Sequence, residues 1–259
     1  MVQGAELRTR PPIPELAPHL GCFWWIDVRP GTCVRTFPDA CTSISIMINR
    51  PQTPQSFFIG PRLAPVEGAP SEGQSWFGVR LRPGAGFLFT GVPIHRLVGM
   101  RRLLSEILPQ EAMVFEQRLA SATTVEDHFN ALQDLLLARL AGRAVSAYVQ
   151  NALAIIEKSG GQVRIAELAC RCKISPHQLA HTLRTWVGLP PKTLARITRF
   201  QRFLAQVETE PSESSAARAA DLGYFDQAHL TREVAQFFGA TPGRLSPRHV
   251  ADFSKTRCE

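Results

Sequence analysis

Residues 163–247 carry apolar positions at helical spacing twice over, each time as two short stripes parted by too few residues for anything but a turn. In the first unit Ile165, Leu168 and Ala169 form one stripe, and Leu179, Leu183 and Val187 form the next at i, i+4, i+8. The intervening Lys173-Ile174-Ser175 is a turn, Ser175 followed by Pro176 is a helix start, and small Ala169 lets the two helices approach closely. The second unit repeats the plan with Ala219, Gly223 and the stripe Leu230, Val234, Phe238; Asp226 is placed to cap its second helix. Helix, tight turn, helix is the arrangement in which the second helix enters a DNA major groove. One such unit is weak evidence, because apolar stripes with a turn occur in any helical domain. Two, joined by a longer helix, constrain the chain far more.

The residues in these units resemble the AraC/XylS family of bacterial transcription regulators. Ala169, Leu179 and Gly188 match its first unit and Arg199 its linker helix. Ala219, Gly223-Tyr224, Asp226, Gln227, His229-Leu230, Arg232, Phe238-Gly239 and Thr241-Pro242 match its C-terminal signature. The resemblance covers about the last 110 residues. Departures from the family pattern are Lys173 where a glycine is usual, Arg218 where an apolar residue is usual, Phe200 and Phe203 in the linker, and Val234 for a usual Phe.

Charge follows the same division. Residues 143–259 hold 16 Lys and Arg against 10 Asp and Glu, a net +6, whereas residues 1–142 hold 13 against 12, a net +1. A basic C-terminal half suits a module that contacts phosphates. The boundary is expected at Gly142–Val145, with 1–142 as a sensor domain plus linker helices and 143–259 as the DNA-binding domain. No run of about 18 apolar residues occurs and the N-terminus lacks a signal-peptide core, so the expectation is a soluble, cytoplasmic protein without membrane contact. The six cysteines at 22, 33, 41, 170, 172 and 258 form no C-x-x-C pair and read as reduced, packed side chains.

Residues 1–19 are proline-rich and read as an extended arm. From Leu20 to about Pro93 the pattern is β. GCFWWIDV, CVRTF and SFFIG are short strand-like runs; Ile44, Ile46 and Ile48 share one face of TSISIMI, and Phe77, Val79 and Leu81 oppose Trp76, Arg80 and Arg82. Several short strands at this spacing predict a small barrel or sandwich. PDACTSIS, FIGP and GVRLRPG also look like the cupin-like sensor domain of some AraC-type regulators. The fold class is therefore α+β multidomain: an N-terminal β-barrel or sandwich with linker helices, then an all-α domain with two helix-turn-helix units. MRRLLSEIL, AMVFEQRLAS and TTVEDHFNALQDLLLARLAG are expected helices. The last carries Val125, Phe129, Leu132, Leu136 and Leu140 on one stripe, with Thr124 and Asp127 as a near capping box. That stripe is a dimer face, as the resemblance implies, or packs on the barrel.

The chemistry of an enzyme is missing. The histidines, at 19, 95, 128, 177, 181, 229 and 249, leave the strand region 20–93 without one, which argues against a cupin metal site. No G-x-S-x-G, phosphate-binding glycine loop or H-E-x-x-H occurs. No catalytic residue, metal or cofactor is expected. His177 and His181 at i, i+4 could pair on a metal, but outward projection from a recognition helix explains them better. By position, His177, Gln178, His181 and Arg184 of the first unit and Gln227, Ala228, Thr231 and Arg232 of the second are expected to face bases. Lys192 and Arg196 are expected to hold phosphates. Trp24, Trp25, Arg35, Trp76, Arg80 and Arg82 are the candidates to stack on or pair with a small, anionic effector, against the alternative that the tryptophans are core and the arginines solvated. The partners implied are double-stranded operator DNA, a small-molecule effector and a second copy of the chain, with RNA polymerase a further candidate. The rival readings are a ligand-independent DNA binder whose β domain only dimerises, and, last, a cupin enzyme with a DNA-binding tail.

Overall fold

The computed structural model describes residues 2–3, 7–29, 31, 33–49, 53–71 and 73–245. Its N-terminal half is a pair of antiparallel sheets backed by helices. The large sheet runs in the order β2 (Leu7–Arg10), β3 (Leu20–Asp27), β8 (Ser75–Leu81), β5 (Thr42–Ile48), β6 (Gln55–Ile59) and β9 (Arg101–Leu103). The small sheet holds β1 (Val2–Gln3), β4 (Cys33–Thr36) and β7 (Val66–Gly68). Alternation decides which face is which. Ile44 and Ile46 of β5 lie opposite Val79 and Phe77 of β8, and all four are fully buried. That face is closed by α2 (Pro109–Ser121) and α3 (Val125–Leu140). The other face carries Trp24, Ser43, Ser45, Trp76 and Arg80 towards the small sheet.

Helix α3 begins as its sequence dictates: Thr124 Oγ1 accepts the Asp127 N–H and the Asp127 carboxylate accepts the Thr124 N–H, at 3.1 and 2.9 Å. Its apolar stripe settles inward. Leu132, Leu136 and Leu140 are fully buried, and the Phe129 ring lies edge-on to Phe23 and Trp25. Each buried leucine contributes about 2 kcal/mol. The dimer-face reading of this stripe is thereby corrected: its side chains are already covered by their own sheet.

Three other expectations change. Within the extended arm expected at residues 1–19, Leu7–Arg10 is extended but is a sheet strand paired with Phe23–Ile26, and Leu16 is fully buried. The helix expected at MRRLLSEIL is absent; Arg101–Leu103 pairs with Phe57–Ile59 as the sheet edge, followed by one 3₁₀ turn at Leu104–Glu106. The strand's partner lies more than 40 residues away in sequence, which no local periodicity reports. Within the region read as wholly β, Ala85–Thr90 is a short helix, α1.

The C-terminal half is helical: α4 (Ala147–Lys158), α5 (Ile165–Arg171), α6 (Pro176–Trp186), α7 (Pro191–Thr209), α8 (Ser215–Asp221) and α9 (Gln227–Phe238). Phe200 and Phe203, the large residues of the linker helix α7, are fully buried together with Leu230 and Val234 of α9. Lys173, in the turn between α5 and α6, has φ of 56°, a left-handed conformation that costs a non-glycine residue about 1 kcal/mol. Arg218 is buried, and its guanidinium donates to the Glu210 and Glu213 carbonyls beyond the end of α7. It holds the end of α7 from a position where an apolar side chain would only pack.

The two halves meet at both ends of the tandem motif. Phe87 of α1 packs on Trp186 at the end of α6, with ring centroids 4.7 Å apart. Gly188 follows at φ of 91°, and a Cβ there would stand 2.8 Å from the Ile94 side chain, so both backbone and space require glycine. At the other end, Phe37 stacks on Phe238 of α9 at 4.8 Å and meets Phe200 edge-on at 6.4 Å. Among the described residues no helix is long and apolar enough to cross a membrane.

Candidate nucleic-acid interface and sensor cavity

Helices α6 and α9 are each the second helix of a helix-turn-helix unit, and each starts with a built cap. Ser175 Oγ accepts the Gln178 N–H at 3.2 Å while the Gln178 side chain accepts the Ser175 N–H at 3.1 Å. Asp226 accepts the His229 N–H at 2.6 Å. Leu179 and Leu183 of α6 are buried, which leaves His177, Gln178, His181 and Arg184 on the exposed side. In α9, Leu230, Val234, Phe237 and Phe238 are buried, leaving Gln227, Ala228 and Arg232 exposed and Thr231 half-buried. Two of these expected base readers are already engaged within their own helices: the Gln178 amide in the cap, and Thr231 Oγ1, which donates to the Gln227 carbonyl at 2.8 Å.

Lys192 is exposed in the first turn of α7. Arg196 is not comparably available: its guanidinium donates to Glu233 at 2.7 Å and to Gln236 at 2.6 Å, and lies 5.1 Å from the Phe237 ring. Glu233 had no role in the sequence reading, yet it is the centre of the second unit. Almost wholly buried, it also faces Arg199 at 3.8 Å and His229 at 3.9 Å. Tyr224 is buried beside it, and burial first, then the Glu233 charge, push the phenol pKa up, so it stays neutral. The available signal was the i, i+4 spacing of His229 and Glu233 on an otherwise apolar face. Phe225, 93% exposed just before the Asp226 cap, is the second omission: a large apolar side chain open to solvent at the start of α9.

The β domain holds a cavity of about 380 Å³ between its two sheets. Of the candidate effector-binding residues, Trp24, Trp76 and Arg80 line it. Trp25, Arg35 and Arg82 do not. Trp25 points to the opposite face of the sheet, where it stacks on Phe77 at 5.3 Å, because consecutive strand residues alternate. Arg35 leaves β4 on the side of α9: it donates to the Phe238 carbonyl at 2.6 Å and covers the Phe238 ring at 4.7 Å. Arg82 donates to the Ala17 and Leu20 carbonyls and borders a separate cavity of about 810 Å³ between the two halves. Arg62, which the sequence reading passed over, lines the first cavity and donates to Thr36 Oγ1 at 3.0 Å. Along Val34–Phe37 the sides are therefore divided. Val34 and Thr36 face the cavity, Arg35 reaches Phe238, and Phe37 touches both.

Two family models match separate parts of the chain. Residues 168–248 match the family described as "Helix-turn-helix domain", and residues 8–101 match a "Domain of unknown function (DUF6597)". A search of curated proteins gave no match. Among solved structures the chain is similar to ToxT from Vibrio cholerae O395, with 9% identity over 85% of this chain and 95% of that one and a TM-score of 0.43. The same protein bound to (E)-4-(8-methylnaphthalen-1-yl)but-3-enoic acid matches with 9% identity over 95% and 98% and a TM-score of 0.44. At that distance the likeness carries no property across.

Proposed function

We infer that this chain, whose residues 168–248 form an AraC-type helix-turn-helix domain, is a DNA-binding transcription regulator that reads sequence with α6 and α9 and answers to a small molecule in its β domain. The observation that carries the reading is the pair of capped helices, each burying its apolar stripe and leaving polar side chains exposed. Two such helices fit successive major-groove faces about one turn apart. Residues 143–259 supply this function and residues 1–142 the sensing. The supporting feature for coupling is contact at both recognition helices: Phe87 against the end of α6, and Arg35 with Phe37 against the end of α9. A ligand that moves Val34 or Thr36 moves Arg35 and Phe37 with them, and so biases how α9 sits relative to α6. A homodimer on paired half-sites belongs to this proposal, on a face other than the buried stripe of α3.

Base reading and phosphate holding separate by mutation. Arg232 is exposed on α9 and matches guanine through paired hydrogen bonds, worth about 1–3 kcal/mol of discrimination. Arg232→Ala is expected to flatten preference at one or two operator positions with little change on random DNA. Lys192→Ala is expected to weaken all sequences alike and to lower the salt slope by about one unit. Competition binding with single-position operator variants measures both. Equal weakening of every sequence by Arg232→Ala, with base preferences intact, contradicts the placement of α9 in the groove.

A further inference from the structure

We propose that the cavity between the two sheets binds a small organic carboxylate with an apolar, flat body, its carboxylate held by the Arg62 guanidinium. The proposal rests on the reading of the β domain as a sensor and names the chemistry of what it senses. The charged side chains lining the cavity, among the described residues, are Arg62, Arg80, Arg101 and Asp39. Asp39 forms an ion pair with Arg80, so those two charges cancel. Arg62 and Arg101 remain. Among the described residues Arg62 has a neutral hydroxyl, Thr36 Oγ1, as its hydrogen-bond acceptor, and the Arg101 guanidinium lies 4.3 Å from the Phe57 ring.

A half-buried guanidinium facing a second cation is electrostatically costly. Burial, and after it the charge of Arg101, hold the Arg62 pKa below its ordinary value. An anion in the cavity offsets both effects by its own attraction to the guanidinium, which presents two parallel N–H donors to a carboxylate. The rest of the wall sets the body of the ligand. Trp24 and Trp76 offer flat apolar surfaces and Ile26, Val34 and Ile59 fill between them. The volume of about 380 Å³ is near the lower end for small-molecule sites, about 300–1,000 Å³. The ligand is therefore a compact organic acid.

Calorimetric titration of the full chain with 2-naphthoate, 3-phenylpropionate and octanoate, each paired with its neutral amide, tests this. At least one acid is expected to bind at one site per chain, at least tenfold more tightly than its amide. Arg62→Gln is expected to abolish that preference for the acid over its amide; Arg62→Lys, which keeps the charge and loses the fork, should fall between. Equal affinity for acids and amides, no binding by any acid, or an Arg62→Gln protein that still prefers the acid overturns the proposal. The acid–amide comparison on the unsubstituted chain decides even if the Arg62 variants fail to fold. DNA binding by the same preparation is measured separately: a chain that binds its operator but no acid sinks the ligand class alone, and one that binds an acid but no DNA sinks the regulator.

Discussion

Replacing Leu132 and Leu136 together by aspartate is expected to unfold the N-terminal domain and to leave no soluble monomer with native spectroscopy. Both side chains are fully buried between α3 and the large sheet. Each change removes a well-packed leucine, which costs about 2–5 kcal/mol even when alanine replaces it. Each also puts a carboxyl group into an apolar layer with no partner. The sum reaches or exceeds the whole stability of an ordinary domain, about 5–15 kcal/mol. Far-ultraviolet dichroism and sedimentation of the double variant give the answer. A folded chain with altered association state would mean that the stripe faces a partner, which its burial denies.

Glu233→Leu is expected to be the most damaging single substitution in the second helix-turn-helix unit. The side chain is 2% exposed, and Arg196, Arg199 and His229 converge on its carboxylate. Removing the acid leaves two arginines, 27% and 16% exposed, without their common counter-charge. Breaking a buried pair from one side costs about 3–5 kcal/mol, and partial solvation of the arginines favours the lower figure. Glu233→Gln, which keeps the volume and part of the hydrogen bonding, should lose less. Urea denaturation of both variants measures the difference. A Glu233→Leu protein as stable as the parent would show that the arginines are satisfied by water and that the cluster holds nothing together.

The sequence displays its local structure well and its tertiary pairings poorly. Caps depend on neighbours three residues apart, so Thr124, Ser175 and Asp226 could be placed from spacing alone, and all three cap helices in the structure. The alternation in β5 and β8 likewise identified the buried faces. For α3 the apolar face was legible but its partner was not, because a stripe of leucines looks the same whether it meets a sheet or a second copy of the chain. Arg101–Leu103 failed for a related reason: its strand partner lies at Phe57–Ile59. Within the candidate sites, exposure of the α6 and α9 side chains followed from helical periodicity. The inward commitment of Arg196 did not, because it depends on Glu233, 37 residues further on. Arg62 was invisible for the same cause, as only the meeting of the two sheets makes its surroundings apolar and its charge notable.

The central claim is that residues 143–259 read DNA sequence with two helices held side by side. Selection of binding sites from random duplex DNA by that fragment tests it most directly. The account predicts an enriched site with two short preferred blocks centred about 10–10.5 base pairs apart. Binding to it should fall steeply and linearly with the logarithm of salt concentration. No enriched sequence, or a single block unaffected by substitutions at Gln227, Ala228 and Arg232, would contradict it.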